Sequence, residues 1–178
     1  PLQGVVASIT AAPPTVEDAI GNTGGNAGNF TLTHLVDYLT GTAGDDVFQA
    51  PVTQNGTGSG QLANTFETGD VLDGGAGRNV LNASLIDSGN VSFPGTAPAI
   101  SATTKNIQEV YLRAQAPQLD LLINNSTIDA ENMQGVEQWW TSNSRSNIQI
   151  EDIRTDTAAT AFGMRLTDPG VSYSAYFN

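Results

Sequence analysis

The sequence has no cysteine, a single histidine, and only 6 basic residues against 18 acidic ones in a length of 178. Without cysteine, disulfides, thiolate zinc sites and cysteine nucleophiles are all excluded. The formal net charge of −12 argues against nucleic acid or anionic lipid as a partner, because both are bound by positively charged surfaces. No apolar run is long enough to span a bilayer or to form a signal-peptide core. Divalent cations, by contrast, would reduce the self-repulsion of such an acidic surface.

Glycine is abundant and aromatic residues are few: there are 19 glycines, and aromatics make up 7% of the chain. Short apolar segments alternate with turn-forming residues, and no stretch of useful length has helical periodicity. This pattern predicts an all-β fold, a parallel β-solenoid with long loops rich in glycine and asparagine. A β-sandwich would explain the same short strands and is the structural alternative.

The chain is predicted to divide near residue 30. Residues 1–29 are expected to form an N-terminal arm that is flexible or exchanges a strand with another copy, because residues 21–29 have the composition of a linker. A long surface loop of the same domain is the alternative for this segment. Residues 30–178 are predicted to form the β-solenoid domain, in which the polar segment 51–64 is a loop.

Two glycine-rich motifs, at 41–49 and 74–82, have nearly the same pattern and lie 33 residues apart. Each places glycines at a bend, an Asp or Asn just after it, and a large apolar residue two positions further on. The pattern is close to G-G-x-G-x-D-x-U-x, which is typical of calcium-binding β-rolls. Two metal-free turns are the alternative, since bends that combine glycine and aspartate are common.

The calcium interpretation follows from the oxygen atoms that these bends offer. Glycine adopts positive φ without a Cβ clash, so backbone carbonyls can turn toward an ion that requires six to eight oxygen ligands. Asp46 is the predicted carboxylate ligand of the first motif and Phe48 its apolar anchor; Asn79 and Leu81 hold the same places in the second. Asn79 lacks the charge and should weaken binding there. The predicted calcium-site residues are Gly41, Gly44, Asp45, Asp46, Asp70, Asp73, Gly75, Gly77 and Asn79.

A second repeat relates residues 106–112 to residues 135–141, at a distance of 29 residues, and 148–150 is expected to form a further short strand. On a strand, neighbouring side chains point to opposite faces, so one residue of the pair Trp139 and Trp140 is expected in the core and the other outside. Tyr111 lies one repeat earlier and is expected on the same face. An exposed indole suits contact with a sugar or a protein. Burial of both tryptophans is the alternative.

The glycine motifs at 39–48 and 69–77, with the strand starts at 106–110 and 135–138, resemble segments of RTX-type surface-layer proteins and large adhesins that bacteria secrete by a type I route. The resemblance covers roughly residues 30–150. It implies a β-solenoid stabilised by Ca²⁺ that forms part of an extracellular lattice, fibre or adhesin on the bacterial cell surface. Copies of the chain itself are the partners it implies.

Catalysis has little support in the sequence. The single histidine, His34, lies in a strand-like, Thr-flanked context, and neither a G-x-S-x-G elbow nor a nucleotide-binding glycine loop is present. We therefore expect a non-enzymatic, self-assembling structural module of a secreted bacterial surface protein. The alternatives are a carbohydrate-binding adhesin module that uses Tyr111, Trp139 or Trp140, and a non-catalytic domain of a secreted hydrolase.

Overall fold

The architecture is that of a computed structural model, and the residues it describes are 25–56, 60, 62–86, 99–115, 125–154 and 160–178. This part of the chain is all β, with no helix. It therefore has no helix of the length and apolar character needed to cross a membrane. Its strands are β1 (Asn29–Thr31), β2 (Tyr38–Thr40), β3 (Val47–Ala50), β4 (Thr53–Gln54), β5 (Leu62–Ala63), β6 (Val71–Asp73), β7 (Val80–Ile86), β8 (Ile100–Ser101), β9 (Thr103–Lys105), β10 (Glu109–Gln115), β11 (Asn125–Asp129), β12 (Gln138–Ser142), β13 (Asn147–Ile153), β14 (Ala161–Arg165) and β15 (Tyr173–Phe177).

Most strands belong to three parallel sheets. The largest has the order β1-β3-β7-β10-β12-β14, the second β15-β13-β11-β8, and the third β2-β6-β9. Consecutive strands of the chain often lie in different sheets, so a strand pairs with one that lies roughly a repeat away in sequence. Parallel neighbours require such long connections. The parallel pairing is also unlike the antiparallel sheets of the sandwich alternative.

The sequence repeats coincide with the register of the largest sheet. Val47 pairs with Val80 at the predicted offset of 33 residues, and Tyr111 pairs with Trp140 at the predicted offset of 29. Residues 148–150 do form a strand, as part of β13, but that strand lies in the second sheet. The chain leaves the largest sheet just before it, at Asn143, whose φ of 54° turns the backbone.

One segment differs from its prediction. Residues 51–64 were expected to be a loop, but β4 and β5 pair as an antiparallel hairpin within it. Its short β-branched and apolar residues are sufficient for two-residue strands. The predicted arm also differs at its end, because Gly28 accepts a hydrogen bond from the Val47 amide at 2.9 Å and Asn29 begins β1. Residues 1–24 of that arm lie outside the described residues.

The core is built from rows of side chains in register. One row of the largest sheet contains Phe48, Leu81, Val110 and Trp139, each at most 1% exposed. Phe30 begins the same row, and its ring stacks on Phe48 with 5.0 Å between centroids. Burying each of these side chains contributes about 1.5–3 kcal/mol relative to exposure. The row therefore ties successive strands together.

Candidate functional site

The two glycine motifs lie directly on top of each other. The Gly41 amide donates to the Asp73 carbonyl at 2.7 Å, and the Ala76 amide donates to the Thr42 carbonyl at 3.2 Å. Gly75 has a φ of 75°, and a Cβ there would collide with the carbonyl oxygen of Thr42. Glycine is needed because the two turns of backbone approach so closely. Similar close approaches surround Gly41, Gly44 and Gly77.

Asp46 is fully buried at the corner immediately before β3, and its carboxylate is enclosed by donors. One oxygen accepts from the Gly28 amide at 2.5 Å and from the Thr42 hydroxyl at 2.8 Å, and the other accepts from the Thr42 amide at 2.5 Å. Burial by itself would raise the pKa of Asp46, but the hydrogen bonds from Thr42 and Gly28 outweigh it and lower the pKa. The ionised carboxylate is therefore stabilised by backbone donors.

Asn79 holds the same place before β7, but it both accepts and donates. Its Oδ1 accepts from the Asp46 amide at 2.8 Å, while its Nδ2 donates to the carbonyls of Ala76 at 3.0 Å and Asn106 at 2.8 Å. One repeat further on, Gln108 Oε1 accepts from the Asn79 amide at 2.7 Å. We call Asp46, Asn79 and Gln108 the corner ladder. Each side chain binds the backbone of the preceding turn.

Gln108 was not among the predicted site residues. Applying the 29-residue offset to Asn79 would have pointed to it, because the offset links equivalent corners. Its glutamine side chain is one methylene longer than asparagine, so residue type alone did not indicate a shared role.

The other predicted carboxylates are also hydrogen-bonded to donors. Asp45 accepts from the Arg78 amide at 2.7 Å. Asp73 accepts from the Gly75 amide at 3.0 Å and pairs with Lys105 at 2.9 Å. The hydrogen bonds from Lys105 and Gly75 hold the pKa of Asp73 at about 2.

Asp70 lies in a separate corner. It accepts from the Asp37 amide at 2.9 Å and from the Glu67 amide at 2.8 Å. Burial raises the pKa of Asp70 despite these bonds. Asp70 therefore supports the backbone before β6 and is not brought into the corner ladder.

These donor sets do not fit a calcium site in this arrangement. Calcium binds oxygen ligands, and the carboxylates of Asp46, Asp70 and Asp73 face N–H or ammonium groups instead. The Asn79 amide nitrogen likewise points at two carbonyl oxygens that an ion would need. In the described ranges no three His, Cys, Asp or Glu side chains are grouped to hold a metal. That calcium orders these turns stays a prediction.

Comparisons of the chain with protein-family models, curated proteins and solved structures found no match.

A second candidate site lies on the outer face of the largest sheet. As expected, neighbouring tryptophans point in opposite directions: Trp139 is 1% exposed in the core, and Trp140 is outside. Tyr111 lies beside Trp140, and their rings stack at 6.2 Å with 15° between planes. The Trp140 Nε1 donates to Gln138 at 3.0 Å, and the Tyr111 hydroxyl donates to Glu109 at 2.8 Å.

Tyr111 of this pair lines a shallow groove of about 270 Å³. Trp140 lies over Gly163, where a Cβ would collide with the indole. The guanidinium of Arg165 lies 4.8 Å from the centre of the Tyr111 ring. Arg113, two residues after Tyr111 on the same face of β10, also lines the groove. Sequence reasoning identified the aromatic residues but not the two arginines.

Replacing Asn79 with Asp should destabilise the fold by about 1–3 kcal/mol, because two donors are lost and a carboxylate oxygen is forced against two carbonyls. Urea unfolding with saturating calcium and with EDTA measures the effect. The same loss is expected in both conditions. If Asn79→Asp instead becomes more stable than the wild type when calcium is added, the corner is a metal site and the ladder interpretation is wrong. Asp46→Asn is the converse control and should also destabilise, since an amide nitrogen would face an N–H donor.

Lowering the pH should remove the contribution of Asp73 to the stability of the fold. Its folded pKa of about 2 lies below the unfolded value of roughly 3.9, so its stabilising effect is complete above that value and lost as pH falls toward 2. Asp73→Asn should therefore be less stable than the wild type at pH 7, with the difference shrinking below pH of about 4. Thermal melts across this range test it. Lys105→Gln should produce the same convergence, and a difference that persists at low pH would contradict the assignment.

Proposed function

We propose that this protein is a structural module, a parallel β-solenoid that joins end to end with copies of itself in an extracellular bacterial assembly. The observation that carries the proposal is the exposure of core-type residues on the last strands. Phe162 is in register with buried Trp139 and Met164 with buried Thr141, yet Phe162 is 37% and Met164 47% exposed. In the part of the chain that the structure describes, the row of core side chains thus continues to a partly exposed surface, where Phe162 also contacts Tyr173 and Phe177.

The end strands offer backbone groups as well as apolar side chains. Among the strands that the structure describes, β14 is at one edge of the largest sheet and β1 at the other, and the pairing between them is parallel throughout. An edge strand presents unpaired N–H and C=O groups that can pair with another chain. Because parallel pairing preserves strand direction, β14 of one copy can add to β1 of the next, a head-to-tail contact that repeats as a filament. We define this contact as the end-to-end interface.

The distribution of charged residues along the chain also supports a head-to-tail contact. Residues 1–77 contain no lysine or arginine and eight acidic residues, whereas all 6 basic residues lie at or after Arg78. Arg145, Arg154 and Arg165 belong to the region of the last strands. Residues 138–178 also hold four acidic residues beside these three arginines, so the last end is nearly neutral. Head-to-tail contact therefore brings less like charge together than contact between two acidic first ends.

The proposed extracellular location is supported by the resemblance of the glycine motifs to those of RTX-type surface proteins. The corner ladder supplies the turns with hydrogen bonds that need no ion. In place of the calcium-ordered turns that the sequence predicts, we therefore propose that the module folds without calcium. A carbohydrate-binding role is the second candidate. It is favoured by Tyr111, which stacks on Trp140 and lines a groove on the outer face.

Met164→Glu should weaken self-association by about tenfold or more, because a charge would be placed in the apolar part of the end-to-end interface. Sedimentation over a concentration series and electron microscopy measure this. Leu62→Glu is the matched control, since Leu62 is similarly exposed at 42% but lies in the β4–β5 hairpin. A wild-type chain that remains monomeric at high concentration would rule out the assembly.

EDTA should shift the unfolding midpoint by little in calorimetry. A calcium ion bound only to the native state at 100–1,000 times its Kd would contribute roughly 3–4 kcal/mol, so its removal would be readily detected. A large fall in the midpoint, reversed by calcium but not by magnesium, would support the calcium prediction and contradict folding by the corner ladder alone.

A further inference from the structure

The groove beside Tyr111 is positively charged, although the protein as a whole is strongly acidic. The chain has only 6 basic residues and a net charge of −12, yet Arg113 and Arg165 both line this one groove. We propose that the groove binds an acidic polysaccharide, a glycan that carries carboxylate or sulfate groups. The inference rests on the carbohydrate-binding candidate and names the class of its ligand.

Arg165 is held in position by its neighbours. Its Nε donates to the Ser142 hydroxyl at 2.9 Å, and its guanidinium lies against the Tyr111 ring. A planar guanidinium fixed in this way loses little freedom when it binds an anion, and its geometry matches carboxylate or sulfate oxygens. Arg165 therefore provides a prepared anion contact.

The charges of both arginines are available to a ligand. Among the described residues, the ion pairs involve Arg78 with Glu109 and Glu137, Lys105 with Asp73, and Arg145 with Asp168. Neither Arg113 nor Arg165 pairs with an acidic residue in that part of the chain, and both are exposed. An acidic group in the groove would therefore displace no acidic partner that the structure describes.

The rest of the groove suits a ligand rich in hydroxyl groups. Gln49 and Asn82 precede Tyr111 in register, and Asn143 and Ser84 also line the groove. Neighbouring strands place such groups about 4.8 Å apart, so they can contact a chain that runs across the sheet. A groove of about 270 Å³ encloses only part of a chain. The net charge of −12 opposes any polyanion, so binding depends on the local charge of Arg113 and Arg165 rather than on the charge of the whole protein.

The aromatic rings also hold Arg165 in position. Tyr111 stacks on Trp140 and lies under Arg165, and Trp140 covers Gly163. Much of the ring surface is used within the protein, so Tyr111 and Trp140 position Arg165 more than they stack on sugar. Charge and hydrogen bonds supply the recognition.

The experiment compares polygalacturonate with its fully methyl-esterified form by isothermal titration calorimetry, with heparin as the sulfated arm and dextran as the neutral arm. EDTA is included throughout, so that calcium cannot bridge protein and ligand. Polygalacturonate or heparin should bind, the methyl ester and dextran should bind at least tenfold more weakly, and added salt should weaken binding. Comparing the affinities for polygalacturonate and heparin distinguishes recognition of carboxylate from recognition of sulfate.

Arg113→Gln and Arg165→Gln should each lower the affinity for the acidic polysaccharide by about tenfold. Arg154→Gln removes the same charge outside the groove and should leave binding unchanged. Arg165→Lys keeps the positive charge but loses the planar guanidinium, so its affinity should lie between those of the wild type and Arg165→Gln. An unchanged circular dichroism spectrum of each variant shows that the loss of affinity is not due to misfolding.

Equal binding of polygalacturonate and its methyl ester, with no effect of the arginine variants, would overturn the acidic-ligand inference while leaving the carbohydrate-binding candidate standing. No binding of any polysaccharide would overturn both and leave the end-to-end interface unaffected.

Discussion

The fold depends on successive turns of chain lying in register, one above another. At the corners, the backbone cannot satisfy itself as it does within the sheets, and a buried amide without a partner costs about 1–3 kcal/mol. The corner ladder provides those partners: Asn79 accepts from the Asp46 amide, and Gln108 accepts from the Asn79 amide. Glycines beside the ladder let the backbones come close enough for these bonds to form.

The same register produces two different surfaces from one strand. Trp139 joins the core row, while Trp140 continues an outer row with Gln49, Asn82 and Tyr111. An outer row is a regular display of side chains, and the proposed ligand groove is one consequence. Where the core row meets the last strand, the regularity also leaves Phe162 and Met164 exposed. The proposed binding face and the proposed assembly surface thus both follow from one geometric constraint.

Asp46 and Asn79 show how one sequence motif can serve two kinds of chemistry. Glycine bends followed by an acid or amide suit calcium when oxygens converge, and suit a hydrogen-bond ladder when donors converge. In this protein donors converge: two amides and a hydroxyl surround Asp46. The difference lies in which way neighbouring backbone groups point, and motif letters do not record that direction.

The sequence by itself determined the repeat lengths, the strand-rich character and the alternation of Trp139 and Trp140, because spacing and side-chain polarity follow directly from residue order. It did not reveal that Ile148 belongs to a second sheet or that segment 51–64 contains a hairpin, since both depend on where the chain turns. The role of Gln108 in the corner ladder and the meeting of Arg113 and Arg165 in one groove became apparent only from the tertiary structure. Residues as far apart in sequence as Tyr111 and Arg165 meet there through backbone register, a long-range geometry that local patterns cannot specify.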